Sequence, residues 1–312
     1  MGFSSKYRHK KNIERIELTP WFYYDVIKTR KRIIHAPSPA LKKAQRTILR
    51  KYFKEYWVFN SVKYAASVHC SKKWLMKLDI KDFYNSVTEE QIRQVLNDYV
   101  SMDKCKNTDR SREVSAEVEQ IFSICTINGK LPTGAPTSPY IANLLLIKFD
   151  LHMEDYCRTC DVYYSRYMDD LFFSTYGPQY LLSLVELEVI RQFKELGFGV
   201  NTDKIKYISS NKRQQVLGLG VNNKKPVLTK EDKRKYRAYF YNLISPVQFN
   251  KIKNYKEHEK ELLGHLAYIK SVDEEFFVRI AFYIFNLLVR LNIRQKHCFK
   301  KLIKSIEYNK AY

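Results

Sequence analysis

Two adjacent carboxylates, Asp169 and Asp170, stand between two short runs rich in aromatic residues, at 162–167 and 171–175. Such runs are typical of β-strands, so the pattern predicts a hairpin with both acids at its tip. Turn preference alone can place an Asp there, but neighbouring carboxylates repel each other and a hairpin does not require the pair. A hard divalent cation such as Mg²⁺ would reverse that repulsion, because it prefers carboxylate oxygen.

A third carboxylate, Asp79, lies near the end of an apolar run at 74–80 that predicts a short buried strand. Sites for phosphoryl transfer hold two metal ions about 3.5–4 Å apart, one activating the attacking hydroxyl and one steadying the leaving group. Two ions need more carboxylates than one hairpin tip supplies. We therefore expect two Mg²⁺ ions, with Mn²⁺ able to substitute, held by Asp79, Asp169 and Asp170.

The elements around these acids are read from apolar periodicity and turn residues. Thr88 and Gln91 form a capping box at the start of one predicted helix. A polar stretch at 103–115 predicts a loop, and the chain beyond Pro226 is predicted to be helical. Further predicted helices cover residues 41–57, 118–125, 141–153 and 180–196, and further predicted strands cover 205–208 and 216–221.

The 312 residues carry a net charge of +22, which is concentrated at the two ends. Residues 1–57 hold 15 basic and 4 acidic residues, and residues 222–312 hold 20 and 9, so each segment has a net charge of +11. The middle, 58–221, is neutral with 20 of each. This distribution favours a catalytic core with basic arms that bind a polyanion, although a solvated basic surface is the simpler alternative.

Cysteine usage and hydropathy indicate where the protein works. The six cysteines lack the spacing of a disulfide scaffold, and the one C-x-x-C, at 157–160, has no second ligand pair for zinc. The longest apolar stretch, 280–289, is about half the length that a membrane-spanning helix needs, so we interpret it as a buried helix. We expect a cytoplasmic protein with no membrane partner.

The acids fall within motifs that, taken in order, resemble those of reverse transcriptases. Residues 167–170, YMDD, resemble the signature hairpin of that family, and residues 79–84, DIKDFY, resemble its first catalytic strand. Residues 131–139, LPTGAPTSP, with Ala142 and Asn143, are similar to its template- and nucleotide-binding segment. The last two palm motifs are similar to 197–204 and 216–218, so the resemblance covers about residues 30–221.

The resemblance implies an RNA-directed DNA polymerase with an α+β right-hand fold. We expect an N-terminal region and fingers at 1–76, and a palm at 77–221 whose antiparallel sheet bears the YMDD hairpin. A fingers insertion is expected around 100–130. Residues 222–312 would form a helical, basic thumb that binds RNA through Lys233, Arg234 and Arg237, since these basic residues recur at helical spacing among aromatic ones.

Further roles are implied residue by residue. The Ile80 carbonyl would add a metal ligand, and Lys204 matches a lysine thought to protonate pyrophosphate. Tyr84 matches the ring that blocks a ribose 2′-hydroxyl, although a core tyrosine is the alternative. Arg32 would contact the incoming triphosphate, because a guanidinium binds phosphate oxygens in pairs. The substrate-binding residues implied by the resemblance are Arg32, Tyr84, Thr133 and Gly134.

Within the family, the length and motifs resemble bacterial retron enzymes. The implied partners are a structured noncoding RNA of the msr-msd type, its cDNA, deoxynucleotides and an accessory effector protein, in antiphage defence with priming from an RNA 2′-hydroxyl. Three positions depart from pattern: Ala65 and Leu217 replace a usual Asn and Thr, and Thr133 replaces a common Gln. The alternatives are another defence-associated reverse transcriptase without a retron template, or a catalytically silent RNA-binding scaffold.

Overall fold

The structure, a computed structural model, describes residues 14–29, 33–53, 61–104, 111–244 and 255–291. Runs of strands and runs of helices follow one another along these ranges, which confirms the predicted α+β class. The strands are β1 (Glu14–Glu17), β2 (Tyr23–Lys28), β3 (Ile33–Pro37), β4 (Trp74–Asp79), β5 (Tyr163–Tyr167), β6 (Asp170–Thr175), β7 (Lys206–Ser209), β8 (Gln215–Val216), β9 (Leu219–Gly220) and β10 (Val227–Leu228).

The helices fall between these strands and dominate the last part of the chain. They are α1 (Pro39–Tyr52), α2 (Val62–Ser67), α3 (Phe83–Ser86), α4 (Glu89–Lys104), α5 (Ser111–Cys125), α6 (Ser138–Leu145), α7 (Ile147–Thr159), α8 (Tyr180–Glu195), α9 (Lys230–Ile244), α10 (Tyr255–Val272) and α11 (Glu274–Val289). A 3₁₀ turn covers Thr202–Lys204. No helix in the described ranges is long and apolar enough to cross a membrane.

Three sheets contain these strands. The first is antiparallel in the order β1-β2-β3, and the short third sheet is antiparallel in the order β10-β9-β8. The second has the order β5-β6-β4-β7, so the strand that ends at Asp79 lies beside the strand that begins at Asp170. Sheet order thus brings two distant segments of sequence to one place.

The described residues divide into two compact units. One comprises the residues up to 53, then 76–173 and 179–206; the other comprises 61–75, 174–178 and the residues from 207 onward. Strands β4 and β6 contribute residues to both units. The predicted division at residues 76 and 221 into fingers, palm and thumb stays a prediction.

The first unit supports its strands with an aromatic core. Helix α7 packs on β5, and the Phe149 ring of α7 stacks on Phe193 of α8 with 4.3 Å between centroids. The ring of Tyr164 in β5 stacks on Phe173 of β6 at 5.0 Å. Because these rings are largely excluded from water, their burial stabilises the strands from which the acids project.

Local signals explain several element ends. The predicted capping box is confirmed: Thr88 N–H donates to Gln91 Oε1 at 2.9 Å, and Gln91 N–H donates to Thr88 Oγ1 at 3.2 Å. The predicted helix at 141–153 is instead two helices that meet at Leu146. The loop predicted for 103–115 was wrong beyond residue 110, since α5 begins at Ser111.

The strand predicted for 216–221 was wrong, because that segment turns back on itself. Val216 pairs with Leu219 in an antiparallel register, and the two residues between them form the turn. Leu217 has φ of 50° and Gly218 has φ of 84°, so both central residues are left-handed, as in a tight hairpin turn. The apolar run concealed this turn because Leu rarely adopts such a conformation.

The second unit contains the helices of the basic C-terminal segment. Helix α11 packs against α9 and α10 through buried residues that include Phe276, Ile280 and Ile284. The apolar stretch 280–289 is therefore largely buried as predicted, although Phe282 and Val289 are exposed. The Asp273 side chain caps α11 by accepting a hydrogen bond from Phe276 N–H at 2.9 Å.

Candidate active site

The three predicted carboxylates lie at the facing ends of neighbouring strands. Asp79 ends β4, and Asp170 begins β6 directly after Asp169 in the hairpin turn. Main-chain hydrogen bonds fix this arrangement: Ile80 N–H donates to the Asp169 carbonyl at 3.1 Å, and Asn201 N–H donates to the Asp79 carbonyl at 3.1 Å. The structure thus brings together acids that are 90 residues apart in sequence.

The carboxylates interact electrostatically. Burial, followed by repulsion from Asp169 and Asp79, raises the pKa of Asp170 from 3.8 to about 6. Lys77 and Lys204 oppose this shift only in part. The Asp170 carboxylate is therefore held in a partly buried site where negative charge is unfavourable, which is the electrostatic setting of a cation-binding site.

Lys204, at the end of the 3₁₀ turn, reaches the first of these acids. Its Nζ lies 2.9 Å from Asp79 Oδ2, and this hydrogen bond raises the pKa of Lys204 above its usual value. The lysine side chain is 63% exposed, so it can move away from the carboxylate without leaving solvent. The structure places Lys204 beside Asp79, and its role as a proton donor to pyrophosphate stays a prediction.

The donor chemistry of this cluster fits hard divalent cations, since every candidate side-chain ligand is a carboxylate oxygen. The positions of the side chains do not yet form a complete metal site. In the described ranges, no three His, Cys, Asp or Glu side chains form a group that could hold a metal ion as they stand. A cation would therefore have to draw the carboxylates together.

Tyr84 lies close to this cluster. It is in the short helix α3, which follows Asp82 in the left-handed region at φ 48°. Burial, followed by the nearby charge of Asp169, raises the pKa of Tyr84 to about 12. The phenol is therefore neutral at physiological pH, and the ring is partly buried. Its role in sugar selection stays a prediction.

The predicted substrate-binding segment is attached to the first sheet. Thr133 Oγ1 donates to the Ile33 carbonyl at 2.7 Å, and the Thr133 carbonyl accepts from His35 N–H at 2.7 Å. Gly134 has φ of 113°, and a Cβ there would lie 2.7 Å from the His35 carbonyl oxygen. Gly134 is thus required for this close approach. Arg32 lies outside the described residues.

One residue that sequence reasoning missed is Arg166, on the strand before the acids. Its guanidinium is 5% exposed, and it donates hydrogen bonds to Asp150, to Asn143 and to the Met168 carbonyl. The sequence contained a sign that Arg166 has a special role, because this arginine interrupts a run of strand-forming residues at 162–167. An arginine buried in a strand needs dedicated partners.

The predicted RNA-binding residues of α9 differ from one another in surroundings. Lys233 Nζ lies 2.7 Å from Asp273 Oδ2, whose side chain is 2% exposed, so Lys233 neutralises a buried charge. Arg234 and Arg237 are exposed, although the Arg237 guanidinium lies 5.8 Å from the centre of the Phe276 ring. The helix therefore offers two of the three predicted cations to a ligand.

Comparison with known proteins agrees with the motifs. The family model described as "Reverse transcriptase (RNA-dependent DNA polymerase)" matches residues 10–223. The retron Mx65 reverse transcriptase of Myxococcus xanthus is 29% identical over 80% of this chain and 60% of its own length. The retron Ec83 reverse transcriptase of Escherichia coli is 28% identical over 84% of this chain and 86% of its own.

Among solved structures, a telomerase from Candida albicans in complex with a fragment of telomeric RNA is similar at a TM-score of 0.47 and 14% identity. That similarity covers 91% of this chain and 63% of the telomerase chain. The family model spans more than half of the present chain and includes all three acids and Lys204. The chain therefore belongs to the reverse transcriptase family and has its right-hand polymerase fold.

Proposed function

We propose that the protein is an RNA-directed DNA polymerase of the retron type, which copies a structured noncoding RNA into single-stranded DNA. The observation that carries this proposal is the convergence of Asp79, Asp169 and Asp170 at the ends of adjacent strands, inside the segment that matches the family. A scaffold without activity would not need three acids that repel one another.

The resident metal would be two Mg²⁺ ions, held by Asp79, Asp169, Asp170 and the Ile80 carbonyl. When bound, such ions activate the attacking hydroxyl and stabilise the leaving pyrophosphate. The chain itself contributes position and charge. The main-chain bonds at Ile80 and Asn201 fix the strand ends, and Lys204 supplies a mobile positive charge beside Asp79.

Tyr84 would select the sugar of the incoming nucleotide. The segment around Thr133 and Gly134 would orient that nucleotide. The Tyr84 ring is near Asp169 and is neutral, so it can exclude a 2′-hydroxyl by its bulk without adding charge. The Thr133–Gly134 segment is hydrogen-bonded to β3. Strand β3 begins one residue after Arg32, the predicted contact for the triphosphate.

A primer-extension assay tests the chemistry. A DNA primer on an RNA template should be extended in Mg²⁺ or Mn²⁺, and chelation should stop extension. Asp169→Asn and Asp170→Asn should each abolish synthesis, whereas Asp155→Asn, which alters an exposed acid of α7, should not. Full activity in either of the first two variants would contradict the proposal.

The proposed nucleic-acid partners are a structured RNA of the msr-msd type and its cDNA. Two basic surfaces support this: the exposed arginines of α9, and a groove of about 820 Å³ on the first unit. Lys42, Lys43, Arg46 and Arg50 of α1 line that groove. Four cations from one helix along a groove suit a phosphate backbone.

The retron assignment adds self-priming from an RNA 2′-hydroxyl and a role in antiphage defence with an accessory effector. Support comes from the relatives named as retron reverse transcriptases. Sequencing of nucleic acids that copurify with the protein should yield one structured RNA joined to DNA by a branch. Linear products only, primed by a separate oligonucleotide, would favour a defence-associated reverse transcriptase without a retron template.

A further inference from the structure

We propose that Arg166 is a positioning residue, which holds the Met168–Asp169 backbone in place through a brace formed with Asp150 and Asn143. The inference rests on the proposed polymerase function, because it concerns how the metal-binding acids are held. Arg166 is linked to the hairpin turn through the carbonyl of Met168, the residue that precedes Asp169.

The first half of the brace is a buried ion pair. Arg166 Nε donates to Asp150 Oδ1 at 2.8 Å, and Nη2 donates to Asp150 Oδ2 at 2.5 Å. Tyr164 Oη adds a third hydrogen bond to the same carboxylate, at 2.7 Å. Burial lowers the pKa of Arg166, but pairing with Asp150 outweighs burial and leaves the pKa raised, so the guanidinium is charged.

The second half of the brace uses the remaining guanidinium nitrogen. Nη1 donates to Asn143 Oδ1 at 2.8 Å and to the Met168 carbonyl at 2.8 Å. Asn143 is in α6 and Asp150 is in α7, so two helices and the turn are joined through one planar group. Lysine has neither the planarity nor the number of donors needed to make these contacts together.

The turn needs such a contact because its backbone is strained. Met168 has φ of 59°, in the left-handed region that is unfavourable for a residue with a Cβ. Strain of this kind persists only where the surroundings fix it. The next residue is Asp169, whose carbonyl accepts the hydrogen bond that ties the turn to β4.

This arrangement distinguishes Arg166 from an ordinary stabilising ion pair. An ordinary pair would need only Asp150, which also accepts a bond from Tyr164. Arg166 additionally contacts the turn, so its loss should displace the acids as well as weaken the fold. Displacement by about 1 Å can slow an enzyme roughly 100-fold.

The test compares Arg166→Lys with Tyr164→Phe, each as the full chain. Both variants remove hydrogen bonds from Asp150, but only Arg166→Lys removes the contact with the Met168 carbonyl. We measure melting temperature, Mn²⁺ affinity by electron paramagnetic resonance, and kcat and KM for deoxynucleotide in primer extension. Mn²⁺ affinity is a readout that does not depend on turnover.

Arg166→Lys should weaken Mn²⁺ binding about 10-fold and lower kcat about 100-fold, with little change in KM. Tyr164→Phe should lower the melting temperature and leave Mn²⁺ affinity and kcat near those of the wild type. If loss of kcat simply follows loss of melting temperature in both variants, with Mn²⁺ affinity unchanged, Arg166 only stabilises the fold and the proposal is wrong.

A second variant covers the case in which Arg166→Lys does not fold. The double change Arg166→Gln with Asp150→Asn leaves no unpaired charge in the interior, and it should show the same loss of Mn²⁺ affinity because Gln cannot replace both contacts. An Mn²⁺ affinity in this variant equal to that of the wild type would also show that the proposal is wrong. Failure of the wild type to extend any primer, with normal Mn²⁺ binding, would instead contradict the proposed function.

Discussion

The Lys204 Nζ atom lies 2.9 Å from Asp79 Oδ2, so one acid of the cluster is already paired with a cation from the chain itself. We predict that Lys204→Ala lowers the rate of nucleotide addition about 10- to 100-fold, because a positive charge near the leaving phosphate is lost. The same variant should need no more Mg²⁺ for half-maximal rate, because Lys204 no longer competes for Asp79.

Rapid-quench measurement of single additions over a Mg²⁺ titration checks this prediction. Lys204→Arg, which retains the charge, serves as the control and should keep the wild-type Mg²⁺ dependence. An unchanged rate in Lys204→Ala would show that the lysine only neutralises Asp79.

The raised pKa of Asp170 predicts a pH-dependent stability in the metal-free protein. Below about pH 3.8 this carboxyl is protonated in both the folded and the unfolded state, so its contribution to folding is intact. As the pH rises from about 3.8 to about 6, the unfolded chain ionises this carboxyl while burial and its neighbours keep it protonated in the folded protein, so stability falls, and the loss is complete above about pH 6.

Asp170→Asn should therefore be more stable than the wild type at pH 7–8, by on the order of 1–3 kcal/mol, and about equally stable at pH 4. Urea unfolding in a chelator across this pH range provides the measurement. Added Mg²⁺ should stabilise the wild type and have less effect on the variant. A variant less stable than the wild type at pH 8 would contradict the prediction.

Sugar discrimination should depend on the bulk of Tyr84. Tyr84→Ala should raise the efficiency of ribonucleotide incorporation relative to deoxynucleotide incorporation roughly 10- to 100-fold. Tyr84→Phe keeps the ring and should retain discrimination. Competitive incorporation assays with both sugars measure the ratio, and an unchanged ratio in Tyr84→Ala would make Tyr84 a structural residue only.

The two exposed arginines of α9 should contribute to RNA affinity. Arg234→Ala with Arg237→Ala should weaken binding of the copurified RNA and flatten the slope of log affinity against log salt by about 1.5 units. Filter binding at several salt concentrations gives this slope. The melting temperature should change little, because both side chains are exposed.

Lys233→Ala is the informative contrast, since it leaves the buried Asp273 carboxylate without its ion pair. We expect it to lower stability by roughly 1–3 kcal/mol and to leave the salt slope almost unchanged. If the arginine pair has no effect on affinity or slope, the basic groove of α1 becomes the principal RNA-binding surface.

Gly134 should not tolerate a side chain. Gly134→Ala places a methyl group 2.7 Å from the His35 carbonyl oxygen at φ of 113°, so it should destabilise the protein by about 1–3 kcal/mol and reduce activity. Gly264→Ala is the control: it lies within α10, where no described atom beyond its chain neighbours and its own helix backbone lies within 4 Å of the added Cβ, and it should stabilise by about 0.5–1 kcal/mol. Thermal unfolding of both variants measures these changes in stability.

Local signals made much of the site predictable. Strand β4, the hairpin at 167–170 and the capping box at Thr88 each depend on residues close in sequence, so pattern and spacing were sufficient. The pairing of β4 with β6 was not readable from periodicity. Proximity of Asp79 to the hairpin was expected from the number of carboxylates that two metal ions need, and the resemblance to a family supported it, because ordered motifs carry long-range information that a strand pattern lacks.

What sequence reasoning missed depends on contacts between distant residues. Lys233 follows the pattern of an RNA-binding lysine, yet its partner Asp273 is 40 positions away. Arg166 likewise has its main partner on α7, 16 positions earlier. Positive φ at Leu217 also escaped prediction, because local propensity opposes it and the hairpin imposes it. In each of these cases, contacts between residues distant in sequence determine the observed structure.

The division of the chain into two compact units has a consequence for how such an enzyme can diversify. The three acids, Lys204 and Tyr84 all belong to the unit that ends at residue 206, whereas α9–α11 belong to the other. Under the proposed function, substitutions in 222–312 could change which RNA is bound without altering the residues proposed to perform chemistry. A chimaera that exchanges this segment between relatives should inherit the template preference of its donor and the nucleotide chemistry of its host.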